Sequence, residues 1–307
     1  MVEILLAVYN GERFLKEQID SILNQSYKNW LLTIYDDGST DRTALLVYSY
    51  VKNNKDKIRF IRGTKNSGSA KESFFKLLAL SNNNYVAFCD HDDVWHKDKL
   101  KICVEHMKKT EKIKGKIPIL IHTDLFVVDE KLNILEESMF KSQNFRFKEK
   151  SFNELLVQNN ITGCTVLINK NLIELCLDVP NGAVMHDWWV GLIAAAFGKI
   201  CFLKDKTVYY RQHKNNCIGA RKTNSVRYVL DRFKNKDEAK KNKYSSYKQA
   251  EDFLKRYERN LSDENIKILR RYIKTKEYKG LKKIIFLIYG GFLKDGLVRK
   301  LGQFFFV

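Results

Sequence analysis

The first half of the chain alternates short apolar runs with amphipathic stretches. EILLAVY reads as a buried strand, and GERFLKEQIDSILNQ as a helix with Leu15, Ile19, Ile22 and Leu23 on one face. WLLTIY predicts a second strand, followed by the turn DDGSTDRT and a helix over about 43–53. KIRFIR is a third strand, and NSGSA opens a helix through Phe74, Phe75, Leu77 and Leu78. NYVAFC is a fourth strand, with helix expected from Asp98 to Met107. Strands alternating with helices predict an α/β fold, a mostly parallel sheet with helices on both faces. Such sheets bind ligands outside the carboxyl ends of their strands. The polar clusters fall there: Tyr9 and Asn10 after the first strand, Asp36 and Asp37 after the second, and Asp90 to Asp93 after the fourth.

Past residue 115 the pattern loosens. IPILIHTDLFVVD is a strand, and NILEES is expected to return antiparallel to it across DEKLN. FNELLVQN predicts a short amphipathic helix, CTVLINK a strand, and MHDWWVGLIAAAF a strongly apolar helix. KICFLKD and TVYYRQH predict two strands in a hairpin. From about Val226 the chain reads as helical to its end, with Ile284, Leu287, Ile288 and Gly291, then Leu297 and Leu301, at helical spacing. The unbroken apolar run Ile284 to Tyr289 is far too short to span a bilayer, which takes about 20 residues.

Charge adds a partner to this picture. Of the formal +19, residues 1–220 contribute +5 (31 Lys and Arg against 26 Asp and Glu), and residues 221–307 contribute +14 (24 against 10). A basic tail points to lipid headgroups, nucleic acid or a phosphorylated substrate. Apolar groups interspersed with Lys282, Lys283, Lys294, Arg299 and Lys300 suit a helix lying on an anionic membrane surface, or one packed on its own domain or a second subunit. Nucleic-acid binding would need stacking aromatics, and Tyr228, Phe233, Tyr244, Tyr247, Phe253 and Tyr257 are present. Helical packing explains them equally well, and that reading leaves the acidic strand ends without a purpose, so no nucleic acid is expected. The six cysteines form no C-x-x-C pair and are expected to be reduced and buried. MVEILLAVYNGE lacks the features of a signal peptide, so a cytoplasmic location is expected, peripheral at the cytoplasmic face of the inner membrane.

The sharpest chemical signal is CDHDDVW. Three carboxylates within four residues repel one another unless a cation, a donor or bulk water relieves them. Hard oxygens so clustered suit Mg²⁺ or Mn²⁺ held together with substrate phosphates. Capping of the next helix by Asp92, Asp93 or Asp98 would explain one Asp, not three. DDGSTDRT is either a turn whose Asp41 or Thr40 caps a helix, or a strand-end carboxylate that accepts hydrogen bonds from a nucleobase or ribose.

AVYNGERFLKEQIDSILNQSY, IYDDGSTDRT and CDHDDVW, in this order and spacing, resemble the family 2 glycosyltransferases of GT-A fold over roughly residues 3–215. YNGERFLKEQIDSIL, DHDDVW and YRQHKNN are similar to bacterial rhamnosyltransferase-like members. The resemblance implies a Rossmann-like mixed sheet in a catalytic domain over 1–220, with a nucleotide-sugar half at about 1–110 and an acceptor half at about 111–220. Residues 221–307 would be a basic α-helical extension. It implies an inverting, metal-dependent transfer from a UDP- or dTDP-sugar, dTDP-rhamnose foremost, to a saccharide acceptor, expected to be lipid-linked, in bacterial surface polysaccharide assembly. A nucleotide-sugar-binding protein without turnover is the alternative.

By the same resemblance, Tyr9, Asn10, Asp37, Lys71 and Asp90 would contact the nucleotide-sugar, and Arg211 the diphosphate. Asp92 and His213 would ligate Mn²⁺ or Mg²⁺. Asp187 in MHDWW would be the catalytic base, although a helix N-cap is the plainer role for it. Trp188 and Trp189 would stack on an acceptor sugar unless they are core. Two positions depart from the family pattern: Ala7 stands where a small polar residue or proline is common, and His186 where Glu is.

Overall fold

The computed structural model describes residues 1–214 and 236–305. The boundary expected at 220/221, the helical start expected at Val226, Cys217, Tyr228 and Phe233 lie outside them. So do Asn215 and Asn216 of YRQHKNN.

Parallel strands buried on both faces need continuous apolar runs, and the chain supplies them. Strands β1 (Val2–Val8), β2 (Trp30–Asp36), β3 (Ile58–Arg62) and β4 (Tyr85–Asp90) alternate with helices α1 (Leu15–Leu23), α2 (Thr43–Asn53) and α3 (Ala70–Leu80). After β4 come a two-residue β5 (Val94–Trp95) and α4 (Lys99–Lys114). Then follow β6 (Ile119–Val128), β7 (Ile134–Glu136), α5 (Met139–Ser142) and α6 (Phe152–Val157). The sheet is completed by β8 (Leu167–Asn169) and β9 (Lys199–Arg211), with α7 (Lys170–Leu175) and α8 (His186–Phe197) between them. One sheet runs in the order β3-β2-β1-β4-β8-β6-β9-β5, with β7 paired on β6. The pairs β1–β2, β2–β3, β1–β4 and β6–β9 are parallel, while β8 runs antiparallel between β4 and β6.

Side chains leave β1 alternately to two cores. Leu5 joins the one built with α3, α6, α7 and α8, whereas Ile4 and Leu6 join the one built with α1, α2 and α4. The described tail forms α9 (Lys236–Tyr257), α10 (Asp263–Lys274), α11 (Gly280–Tyr289) and α12 (Leu297–Phe305). These helices are not an independent unit. Tyr247, Phe253, Tyr257, Leu269, Tyr272, Leu287 and Phe292 share the first core with Trp189 and the rest of α8. Tyr247, Phe253 and Tyr257 are therefore covered by packing and cannot stack on bases. Among the described residues no helix is long and apolar enough to cross a membrane.

The expected hairpin at 199–213 is instead one strand. β9 follows β6 in parallel from Ile119↔Lys199 to Val128↔Arg211, with register shifts at Thr123/Asp124 and Asp124/Phe126. The polar run Lys204 to Thr207, which suggested a turn, is taken up by those shifts. CTVLINK shortens likewise: Gly163–Thr165 form a 3-10 turn, and only Leu167–Asn169 are strand. Among the described cysteines, Cys89, Cys103, Cys164 and Cys176 are buried, Cys201 is partly so, and all are free thiols.

Candidate active site

Four segments meet at the carboxyl edge of the sheet: the ends of β1, β2 and β4, and the end of β9. The first two are laced together by backbone and side chain. The Asp37 amide donates to the Val8 carbonyl at 2.8 Å, and the Asn10 amide to the Ser39 hydroxyl at 2.8 Å. Asn10 itself has a positive φ of 48° and accepts the Thr40 amide at its side-chain oxygen. Asp41 accepts the amides of Thr43 and Glu12, so it serves both the helix start and the β1 loop. Gly38 has φ 79°, and a Cβ there would stand 2.8 Å from the backbone at Lys65 and Asn66, so only glycine fits the turn.

Asp37 is buried, and one oxygen accepts the Ser67 amide and hydroxyl at 3.0 and 2.7 Å. Its other oxygen is buried without a protein partner. Such a group costs free energy unless a ligand donor completes it. Tyr9 is 43% exposed beside this loop. Lys71, at the start of α3, directs its ammonium to the carbonyls of Ala183 and Asn181 at 2.9 and 3.4 Å. It thus ties the start of α3 to the loop that leads into α8.

The three carboxylates after β4 divide into two roles. Asp93 is fully buried, accepts the Arg211 amide at 3.1 Å, and lies against the Cys164 thiol. Burial, then the charges of Asp92 and Asp90, push its pKa well above the usual carboxylate range. It anchors the end of β9. Asp90 and Asp92 stand further out. Burial, reinforced by Asp92 and Asp187, pushes the Asp90 carboxyl up to about 8. Oδ2 of Asp92 lies 2.8 Å from Nε2 of His213, which in turn rests on the Phe14 ring at 5.0 Å between centroids.

Asp90, Asp93 and Cys164 also place one ligand atom each within 4.8 Å of one another. Yet Asp93 and Cys164 are committed to each other, and burial pushes the Cys164 thiol pKa well up, against the thiolate a metal would need. Asp92 and His213, 2.8 Å apart at the outer edge of the cluster, are the donors whose chemistry suits a divalent cation.

Arg211 is almost wholly buried, and its guanidinium is engaged from three sides. It donates to the backbone carbonyls of Asp92, at 2.8 Å, and of Glu130, and to the carboxylate of Glu17 on α1. It also lies over the Phe14 ring at 4.5 Å. The structure therefore gives it a bracing position under the Asp92 loop.

Asp187 enters from α8. One oxygen accepts its neighbour Trp188's amide at 2.6 Å, the other accepts the Gly163 amide at 3.2 Å, and the Asn159 side chain adds a further bond. Burial outweighs these donors and raises its pKa to about 7. His186, preceding it, is stacked on Phe74 at 4.0 Å with both ring nitrogens unpartnered. Burial lowers its pKa to about 3, so it is neutral. A Cβ at Gly163 would meet His186 Nε2 at 2.6 Å, so glycine lets the chain pass close to His186 and Asp187.

The expected acceptor role of Trp189 does not survive. Its ring is completely buried and meets Phe253 edge-on at 5.2 Å, because the tail helices cover that face of α8. Trp188 is partly buried and donates its indole N–H to the Leu155 carbonyl at 2.6 Å. Asn159, Ser67 and Glu17 were not singled out from sequence. Only Asn159 carried a signal, the polar trio Gln158-Asn159-Asn160 ahead of the apolar turn.

Residues 3–175 match the family model described as glycosyl transferase family 2. A dTDP-rhamnosyl transferase of Shigella flexneri is 27% identical over 234 residues, which cover 73% of this chain and 76% of that protein. A UDP-Glc:α-D-GlcNAc-diphosphoundecaprenol β-1,3-glucosyltransferase of Escherichia coli is 30% identical over 109 residues, 36% of this chain and 42% of that one. Among solved structures, S. aureus TarS 1–349 in complex with UDP-GlcNAc superposes with a TM-score of 0.61 at 15% identity. That superposition covers 94% of this chain and 79% of the TarS chain, and it speaks for the fold, GT-A.

Proposed function

The chain belongs to glycosyl transferase family 2 and is a glycosyltransferase; from that premise we propose an inverting, metal-dependent transfer from a UDP- or dTDP-sugar to a saccharide hydroxyl. The donor we favour is dTDP-rhamnose, in keeping with the Shigella flexneri relative. The acceptor we favour is lipid-linked, in surface polysaccharide assembly at the cytoplasmic membrane face, in keeping with the diphosphoundecaprenol in the Escherichia coli relative's name.

One arrangement carries this reading. Asp187, fixed by the amides of Gly163 and Trp188, lies near enough to the β4-end carboxylate of Asp90 to raise that group's pKa, with Asp92 two residues further on. A general base works best with a pKa near the operating pH. Asp187 takes the acceptor hydroxyl proton as that oxygen forms its bond to the anomeric carbon. The bond from that carbon to the diphosphate oxygen breaks on the opposite face, and the nucleoside diphosphate leaves with the electron pair. The amide of Gly163, the amide of Trp188 and the side chain of Asn159 hold the carboxylate in one orientation.

On the donor side, the unpartnered oxygen of Asp37 accepts an N–H from the pyrimidine, and Tyr9 and Asn10 line the same loop. Asp90 supports the ribose, and Asp92 with His213 would hold Mn²⁺ or Mg²⁺. That cation supplies charge neutralisation on the departing diphosphate. Arg211 keeps the Asp92 loop in place for it, and Lys71 fixes the donor half against the loop before α8. Trp188 is the remaining aromatic at the acceptor side.

Calorimetric titration with UDP and with dTDP, each with and without Mn²⁺, tests the site. Metal-dependent binding of one of them is expected. Failure of both to bind a folded sample would overturn the assignment.

A further inference from the structure

Outside this site, the strongest unexplained feature is one face of α11. Leu281, Ile285, Ile288 and Tyr289 are 72%, 42%, 49% and 83% exposed. Their spacing confines them to about a quarter of the helix circumference, opposite Lys283 and Leu287, which are buried. Four large apolar groups on one exposed stripe are unfavourable in water unless something covers them.

Charge identifies the cover. Between Lys267 and Lys283 the chain carries eight Lys and Arg against a single acid, Glu277. Arg271 lines a groove of about 290 Å³ together with Ile285, Phe286 and Tyr289, which sets a cation at the edge of the apolar stripe. Lys279 and Lys282 are exposed at the start of the same helix. Among the described residues no carboxylate pairs with Arg271, Lys274 or Lys279, whereas Arg270 and Lys276 are bound to Glu258 and Glu251. An apolar stripe rimmed by unneutralised cations complements a surface with anionic groups outside and hydrocarbon beneath.

We propose that this face of α11, with Arg271, Lys279 and Lys282 around it, seats the enzyme on an anionic phospholipid surface. The seat is wired to the acceptor side by a short path. The Asn153 side chain, in the first turn of α6, donates to the Gly290 carbonyl just past the end of α11, at 2.9 Å. Two residues beyond the other end of α6, Asn159 bonds Asp187. Six helical residues span about 9 Å, so α6 sets the base at a fixed, short remove from the end of the seat. In its acceptor aspect the inference rests on the transferase reading; the docking itself does not.

The test is flotation of the full chain with phosphatidylcholine vesicles, with or without phosphatidylglycerol. The chain should float with the anionic vesicles only, and less at high salt. Lys279→Ser and Lys282→Ser should each weaken attachment about fivefold. Ile285→Asp with Ile288→Asp should weaken it by more than about tenfold, while UDP or dTDP titration stays unchanged and shows the fold intact. Wild-type chain that stays with no vesicle, or variants that float as well as wild type, would overturn the proposal. So would a dimer in sedimentation that the Ile285→Asp, Ile288→Asp pair dissolves, because a second copy would then be the cover. Failure of wild type to bind either nucleotide would sink the transferase reading and leave the docking result standing.

Discussion

The proposed donor and acceptor halves of the edge are built in opposite ways. On the donor side, Asn10, Asp37, Asp90 and Asp92 each sit within two residues of a strand end, and neighbouring loops fix one another through short bonds such as Asn10 to Ser39. On the acceptor side, Asp187 is set by Gly163, 24 residues away in sequence, and by Asn159. The donor half is local chemistry on a regular scaffold. The acceptor half is assembled by tertiary packing, and the tail helices take part in it. The same division explains why Trp188 and Trp189, adjacent in sequence, differ. One is partly open, and the other is sealed under Phe253 and Tyr257.

The largest expected effect breaks the donor half. Asp92→Asn, or chelation of divalent metal, should abolish turnover and metal-dependent nucleotide binding together, with the circular-dichroism spectrum unchanged; full turnover in an Asp92→Asn assay would remove its assigned role. Asp187→Asn should separate the halves. Transfer should drop about 10²–10⁴-fold while calorimetric nucleotide binding persists.

Next come two buried braces. Trp189→Ala should cost about 3–5 kcal/mol in denaturant unfolding, a large share of a stability that typically totals about 5–15 kcal/mol. Arg211→Met should cost about 1–3 kcal/mol, because the carbonyls of Asp92 and Glu130 lose their donor while the half-exposed Glu17 turns to water, and it should weaken Mn²⁺ response in whatever folds. A Trp189→Ala protein as stable as wild type would refute the packing of the tail on α8.

The smallest effect is pH. The raised pKa of Asp187 means that its carboxyl takes up a proton as pH falls through about 7. The base is then lost, so kcat/KM should fall about tenfold per pH unit below that point and level off above it. A profile flat from pH 5 to 8 would argue against Asp187 as the base.

How legible each half was follows from the same contrast. The strands β1, β2 and β4 stood out because burial on both faces demands near-continuous apolar runs, and the candidate site residues follow them directly. β9 was misread because a polar stretch inside a strand looks like a turn until a neighbouring strand is seen to slip register around it. Asp93 could not be separated from Asp90 and Asp92 by spacing; its full burial and its bond to the Arg211 amide show that it faces inward. Trp189 looked available because nothing in MHDWW announces that Phe253 and Tyr257, more than 60 positions later, will cover it. Glu17 and Asn159 carry no motif of their own, since their partners are set by the three-dimensional path of the chain.

The bracing of the Asp92 loop by Arg211 also has a bearing on biosynthesis. As the polypeptide leaves the ribosome, the strands that carry the acidic cluster emerge long before the last residue of β9. Until β9 has threaded alongside β6, the cluster lacks its internal cation and the amide that Asp93 accepts. Parallel pairing between segments so far apart is slow, since loop-closure entropy is lost before the contacts form. The acidic cluster is therefore braced in a late step of folding, well after the strand that carries it has been made.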